Sequence, residues 1–139
     1  MIEEFQLGGE TGRVTASLQN SAGYPGLSAT YRDWKVSVDC GDFRGEFLAV
    51  LTDDDIAEFF RGLGAAVGAT DDGEYPVELG TGRGCAATVT LYRFKGLLSH
   101  GVVSLTPRGD DPIPCLTMWL EADPAAIRAE ASRVLSGQA

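Results

Sequence analysis

The residues able to do chemistry are few, and their spacing matches no reaction. His100 is the only histidine in the chain. It stands beside Ser99 and four residues before Ser104, inside an alternating run. Neighbouring strand residues point to opposite faces, so a serine–histidine pair does not follow from this spacing. A solvent-facing or hydrogen-bonded sheet histidine is the simpler expectation, although a cysteine–histidine pair formed in space stays open. A single histidine also argues against a histidine-based metal site. Cys40, Cys85 and Cys115 are odd in number, widely spaced and without a CxxC pair. Zinc-ribbon and thioredoxin chemistry need that pair. Buried free thiols in a reducing compartment account for all three.

The run Gly80-Thr81-Gly82-Arg83-Gly84-Cys85-Ala86 fits GxGxxA as letters. A dinucleotide site needs a strand before it and a helix after it, because the helix N-terminus holds the pyrophosphate. A period-two segment follows here, so the run reads as a flexible hairpin approach. Asp53-Asp54-Asp55 raises calcium, but a calcium loop alternates its ligands and closes on a distant glutamate. Contiguous aspartates at a helix start complement the positive end of the helix dipole. Asp71-Asp72-Gly73-Glu74 and Asp110-Asp111 contain carboxylates for a hydrolytic pair, yet nothing fixes their separation. They read as solvated loop charges. The sequence thus assigns no catalytic residue, no metal and no cofactor.

Where the acids fall says more than any one of them. Eight acids lie between residues 53 and 78: Asp53, Asp54, Asp55, Glu58, Asp71, Asp72, Glu74 and Glu78. Arg61 is the only base there, so this stretch carries −7 of the total −9. These eight are the candidate partner-binding residues. A localised acidic surface would steer a basic protein toward it. A merely solvated helix start and loop would have the same composition, and both readings stand at this point. No basic stripe exists for phosphates, so a duplex nucleic-acid partner is not expected. Anionic membranes are disfavoured by the same charge.

The elements that would carry these residues follow from periodicity. Period two marks strands over residues 3–7, 13–19, 30–40, 43–51, 85–94, 97–106 and 115–121, with a brief edge strand at 76–79. Residues 21–28, with two glycines and a proline, read as a loop. Thr52 and Asp55 stand at capping-box spacing. Ile56, Phe59, Phe60, Leu63 and Val67 then form one apolar helical stripe. Gly62, Gly64 and Gly68 should weaken that helix by roughly 1 kcal/mol each relative to alanine. Asp123-Pro124 opens a last helix, since aspartate caps well and proline suits the first helical position. Ile127, Ala131, Val134 and Leu135 form its stripe, and Gly137 ends it. The 139 residues suit one α+β domain over residues 1–139: an antiparallel, meander-type sheet with a central and a C-terminal helix packed on it. The first five residues have neither a basic n-region nor an apolar run, so a cytoplasmic location is expected.

This order of elements resembles the immunity proteins of the WapI type and related actinobacterial proteins. The likeness runs from Trp34 to the C-terminus. It consists of a hairpin ending in Gly45-Glu46-Phe47, a helix with Asp54-Asp55-Ile56-Ala57-Glu58-Phe59 closed by Leu63, then the strand Ala87-Thr88-Val89-Thr90-Leu91. Gly101-Val102-Val103-Ser104-Leu105 leads to a last strand and a helix starting near Asp123. Where that family often has Asp-Gln, this chain has Asp123-Pro124. The resemblance implies a cytosolic protein, with no catalytic residues, that neutralises a cognate toxin by binding it. Basic nucleases are common targets of such proteins, which implies a basic toxin domain as partner.

Two functions therefore compete, beside the blander option of an oligomeric accessory domain. One is a non-enzymatic protein-binding domain with an acidic docking surface. The other is an enzyme or small-ligand carrier with a pocket between sheet and helix, suggested by the aromatics Trp34, Phe47, Phe59, Phe60 and Trp119. A filled core would argue against the second.

Overall fold

The computed structural model describes residues 2–20, 31–80, 87–105 and 116–137. The expected loop at 21–28, the glycine-rich run from residue 81 to 86, Asp110, Asp111, Cys85 and Cys115 lie outside them. Along the chain come β1 (Glu4–Gly9), β2 (Gly12–Asn20), β3 (Arg32–Cys40), β4 (Phe43–Leu51), α1 (Asp53–Gly68), β5 (Gly73–Leu79), β6 (Ala87–Phe94), β7 (Leu97–Leu105), β8 (Leu116–Leu120) and α2 (Pro124–Ser136). The α+β class and the meander order are as the periodicity implies. The strands form two sheets, however: β1-β2-β3-β4 in one, called sheet A, and β5-β6-β7-β8 in the other, sheet B. All pairings are antiparallel. The same order, four strands and then a helix, thus occurs twice.

The alternation that marks the strands also sorts their faces. In β3, Trp34, Val36 and Val38 are buried while Lys35, Ser37 and Asp39 are only half-buried. In β6, Ala87, Val89 and Leu91 are buried. β5 is longer than the sequence suggests. It begins at Gly73 and pairs with β6 along its whole length, from Gly73 opposite Arg93 to Leu79 opposite Ala87. Glycine, proline and two glutamates disguise an edge strand that buries only Leu79 fully.

α1 starts where the sequence says it should. Asp55 N donates to Thr52 Oγ1 at 3.0 Å, and Thr52 N donates to Asp55 Oδ2 at 2.9 Å. Two of the helix's orphan donors are satisfied reciprocally. Ile56, Ala57, Phe59, Phe60, Leu63, Ala66 and Val67 are buried along it. Arg93, reaching from β6, donates to Val67 O at 2.8 Å and so covers the negative end of the helix. In α2, Asp123 Oδ1 accepts from Ala125 N at 3.1 Å, and Ile127, Ala131 and Val134 are buried.

The core is continuous across both sheets and both helices. Its centre is aromatic. Phe5 meets Phe60 edge-on at 5.2 Å, Phe59 meets Phe60 edge-on at 5.3 Å, and Trp34 lies 5.8 Å from Phe5. The sheets touch where Glu121 N donates to Gly12 O at 3.2 Å. No helix among the described residues is long and apolar enough to cross a membrane.

Candidate functional site

The eight candidate acids divide by what their carboxylates already do. Asp55 is committed to the helix cap. Asp72 accepts from Lys95 N at 3.0 Å and Gly96 N at 2.9 Å, so it clamps the β6–β7 turn. That turn has φ values of 53° at Lys95 and 77° at Gly96. Two successive left-handed residues make the type I′ geometry of a tight hairpin. Asp53 pairs with Arg32 at 3.4 Å, half-shielded from solvent. Glu58 pairs with Arg61 at 2.7 Å, but both ends are well exposed and the pair contributes little to stability. Asp54, Asp71, Glu74 and Glu78 are exposed.

These acids do not share one flat face. Asp54 and Glu58, four residues apart, stand on the exposed side of α1. α1 packs on the face of β5 that carries Tyr75, Val77 and Leu79; a Cβ on Gly62 would lie 2.7 Å from Val77 Cγ1. Glu74 and Glu78 alternate with those residues and project from the opposite face. The result is two acidic patches, one on the helix and one on the outer face of sheet B, on either side of the β5 edge. Asp71 lies on the connection between them. Among the described residues no cluster of three His, Cys, Asp or Glu side chains could hold a metal ion.

The outer face of sheet B carries a second constellation. Tyr92, His100 and Trp119 stack across three adjacent strands, with ring centroids 4.7 and 4.5 Å apart and interplanar angles of 14° and 8°. Glu74 sits opposite Tyr92 in the ladder, at the end of this row. The expected separation of Ser99 from His100 is corrected here. Tyr92 pairs with His100 and Arg93 pairs with Leu98, so Ser99 is the extra residue of a β-bulge. The bulge breaks strict alternation and brings Ser99 Oγ to 2.9 Å from His100 Nδ1. Ser99 Oγ also donates to Tyr92 O at 3.1 Å. A serine hydroxyl has one proton to donate, so Oγ accepts from Nδ1–H while donating to Tyr92 O in one histidine tautomer and donates to Nδ1 in the other. No signal in the sequence marks the bulge or the cross-strand stack, because both depend on register.

Of the aromatics proposed for an internal pocket, three fill the core centre and two lie outside it. Trp34, Phe59 and Phe60 are fully buried and pack on other rings, Phe47 is partly buried, and Trp119 belongs to the outer stack. Two open grooves run beside α2. One, of about 470 Å³, is lined by Leu7, Glu121, Asp123, Ile127 and Glu130, among others. The other, of about 420 Å³, lies between Gln6, Ser17, Lys35 and Arg133. In both, the polar groups are partly spent: Glu130 Oε2 accepts from Gln6 N at 2.7 Å, and Arg133 donates to Glu4 O at 2.9 Å. Its hydrogen bond to Glu130 holds the Arg133 guanidinium above its ordinary pKa. Cys40, the free thiol among the described residues, donates to Thr11 O at the sheet margin.

No protein-family model, curated protein or solved structure matches this chain.

Proposed function

We propose that this chain is a protein-binding domain that docks a basic partner through acids on α1, its following connection and β5. The observation that carries this is the charge of −7 between residues 53 and 78, with Asp54, Glu58, Asp71, Glu74 and Glu78 all exposed. Asp55 and Asp72 belong to the scaffold, which removes them from the docking set. Carboxylates on both sides of one sheet edge suit a partner that grips that edge rather than lies on a plane. The likeness to WapI-type immunity proteins supports a toxin domain as the partner. The aromatic packing of the core supports binding over a pocket enzyme.

The test is to search the genes adjoining its own for a toxin and to titrate the chain against that toxin's basic domain, in low and moderate salt; the absence of a toxin gene would also refute the assignment. We expect a complex whose affinity falls at least tenfold between about 50 and 300 mM NaCl, since such rim charges are screened within a Debye length. Replacing Asp54, Glu58, Glu74 and Glu78 together by lysine should abolish it. A complex indifferent to both salt and charge reversal, or no complex at low salt, would refute the assignment.

A further inference from the structure

Two sheets present four edge strands, and three are closed by identifiable devices. The free edge of β1 is met by α2, whose Glu130 takes the Gln6 N–H and whose Arg133 takes the Glu4 carbonyl. β8 is only five residues long, and its end is held to β2 through Glu121 N and Gly12 O. β5 carries Pro76 in its middle and outward glutamates on either side of it. Helix cover, shortness, proline and charge are the usual means of blocking edge-to-edge pairing.

Among the described residues β4 has no helix cover, is neither short nor broken by proline, and carries outward charges of both signs rather than of one. It is nine residues long without a proline, and β3 is the described element that packs along it. Its Phe43 and Leu48 side chains are 77% and 61% exposed. The charges on its outward face are arranged in a specific way. Arg44 lies 4.0 Å from Asp39 of β3, and Glu46 lies 3.7 Å from Lys35 of β3.

We infer that β4 pairs antiparallel with β4 of a second copy, about a two-fold axis through Gly45, and joins two sheets A into one eight-stranded sheet. The charges select the register. Centred on Gly45, Arg44 of each copy stands opposite Glu46 of the other, and Phe43 stands opposite Phe47. Asp39 then stands opposite Arg44, Arg44 opposite Glu46 of the other copy, and that Glu46 meets Lys35 diagonally, its ladder partner being Ser37, so the charges in contact alternate in sign. Centred on Glu46, the two glutamates collide. Centred on Phe47 or Leu48, every charge faces an uncharged residue. A shift by one residue would put inward side chains opposite outward ones. A two-fold interface must be self-complementary, and one strand carrying both signs at i and i+2 meets that demand.

The test is sedimentation equilibrium of the purified chain, with three variants. The natural chain should form dimers as concentration rises. Arg44→Glu alone and Glu46→Arg alone each set like charges opposite one another twice, and each should weaken the dimer by roughly tenfold or more. The double variant R44E/E46R restores alternation across the new interface and should recover most of the affinity. Circular dichroism of each variant confirms that the exposed substitutions leave the fold intact. A chain that stays monomeric at every concentration overturns the inference, including the case where β4 takes a strand from a different protein. A dimer unaffected by the single changes, or not rescued by the double one, overturns it equally.

Discussion

Asp72 shows how a residue that looks like surface charge can be structural. Its two oxygens hold the consecutive N–H groups of Lys95 and Gly96. Lys95 occupies the left-handed region without being glycine, a conformation that costs an ordinary residue roughly 1–2 kcal/mol. Asp72→Ala should therefore lower unfolding stability by about 1 kcal/mol, the net worth of hydrogen bonds to an exposed carboxylate. Lys95→Asn should return part of that loss, because asparagine tolerates the left-handed region better. Urea titration of the two single variants and the double variant measures both effects. Glu74→Ala should stay within about 0.5 kcal/mol of the natural chain, since its carboxylate is exposed on the outer face of β5. Ser99 is the opposite case: its partner looks catalytic and its hydrogen bonding is structural. Because its hydroxyl donates to Tyr92 O, it should resist a fluorophosphonate probe that labels activated serines. Adduct formation at Ser99, seen by mass spectrometry, would reverse that assignment.

At the scale of elements, the glycines of α1 separate into two kinds that letters alone cannot distinguish. A Cβ at Gly62 would meet Val77 Cγ1 at 2.7 Å, whereas one at Gly64 would meet nothing within 4 Å. Gly62 is the place where helix and β5 approach, and Gly64 is a plain loss of helix propensity. Gly64→Ala should stabilise the fold by roughly 0.5–1 kcal/mol. Gly62→Ala should give no gain or a loss, and adding Val77→Ala should relieve it; thermal melts of the set would show this. The same limit governs what was legible beforehand. Trp34-Lys35-Val36-Ser37-Val38 announces a half-buried strand, and Thr52 with Asp55 announces a cap, because both signals are local. Gly73 to Pro76 hid the first half of β5, because an edge strand needs no apolar run. The bulge at Ser99 and the stack of Tyr92, His100 and Trp119 were hidden because pairing sets them. The acidic stretch was legible as a composition, but its division between helix cap, hairpin clamp and open surface was not.

Across the whole molecule, the repeated order of four strands and a helix raises the question of whether the halves are separate units. Their cores are not separate. Phe5 of β1 packs on Phe59 and Phe60 of α1, and the same cluster continues through Leu79, Val89 and Leu91 of sheet B to Ile127 of α2. α1, which closes the first half, packs on β5 of the second, and α2 closes the edge of β1 in the first. Each helix thus serves the other half, so neither half can bury its apolar face alone. The closest backbone approach between the sheets among the described residues lies at Gly12. Its carbonyl accepts from Glu121 N, and a Cβ there would lie 2.2 Å from the carbonyl oxygen of Trp119. Backbone cannot move aside as a side-chain tip can, so Gly12→Ala must push the sheets apart. It should cost about 2 kcal/mol or more, the scale of overpacking against fixed atoms. The loss should appear as one cooperative transition at a lower denaturant midpoint, read together by tryptophan fluorescence and far-ultraviolet circular dichroism. Trp34 reports on sheet A and Trp119 on sheet B. Two resolved transitions would mean that the halves hold together independently, and the shared core would then have to be weaker than its continuity implies.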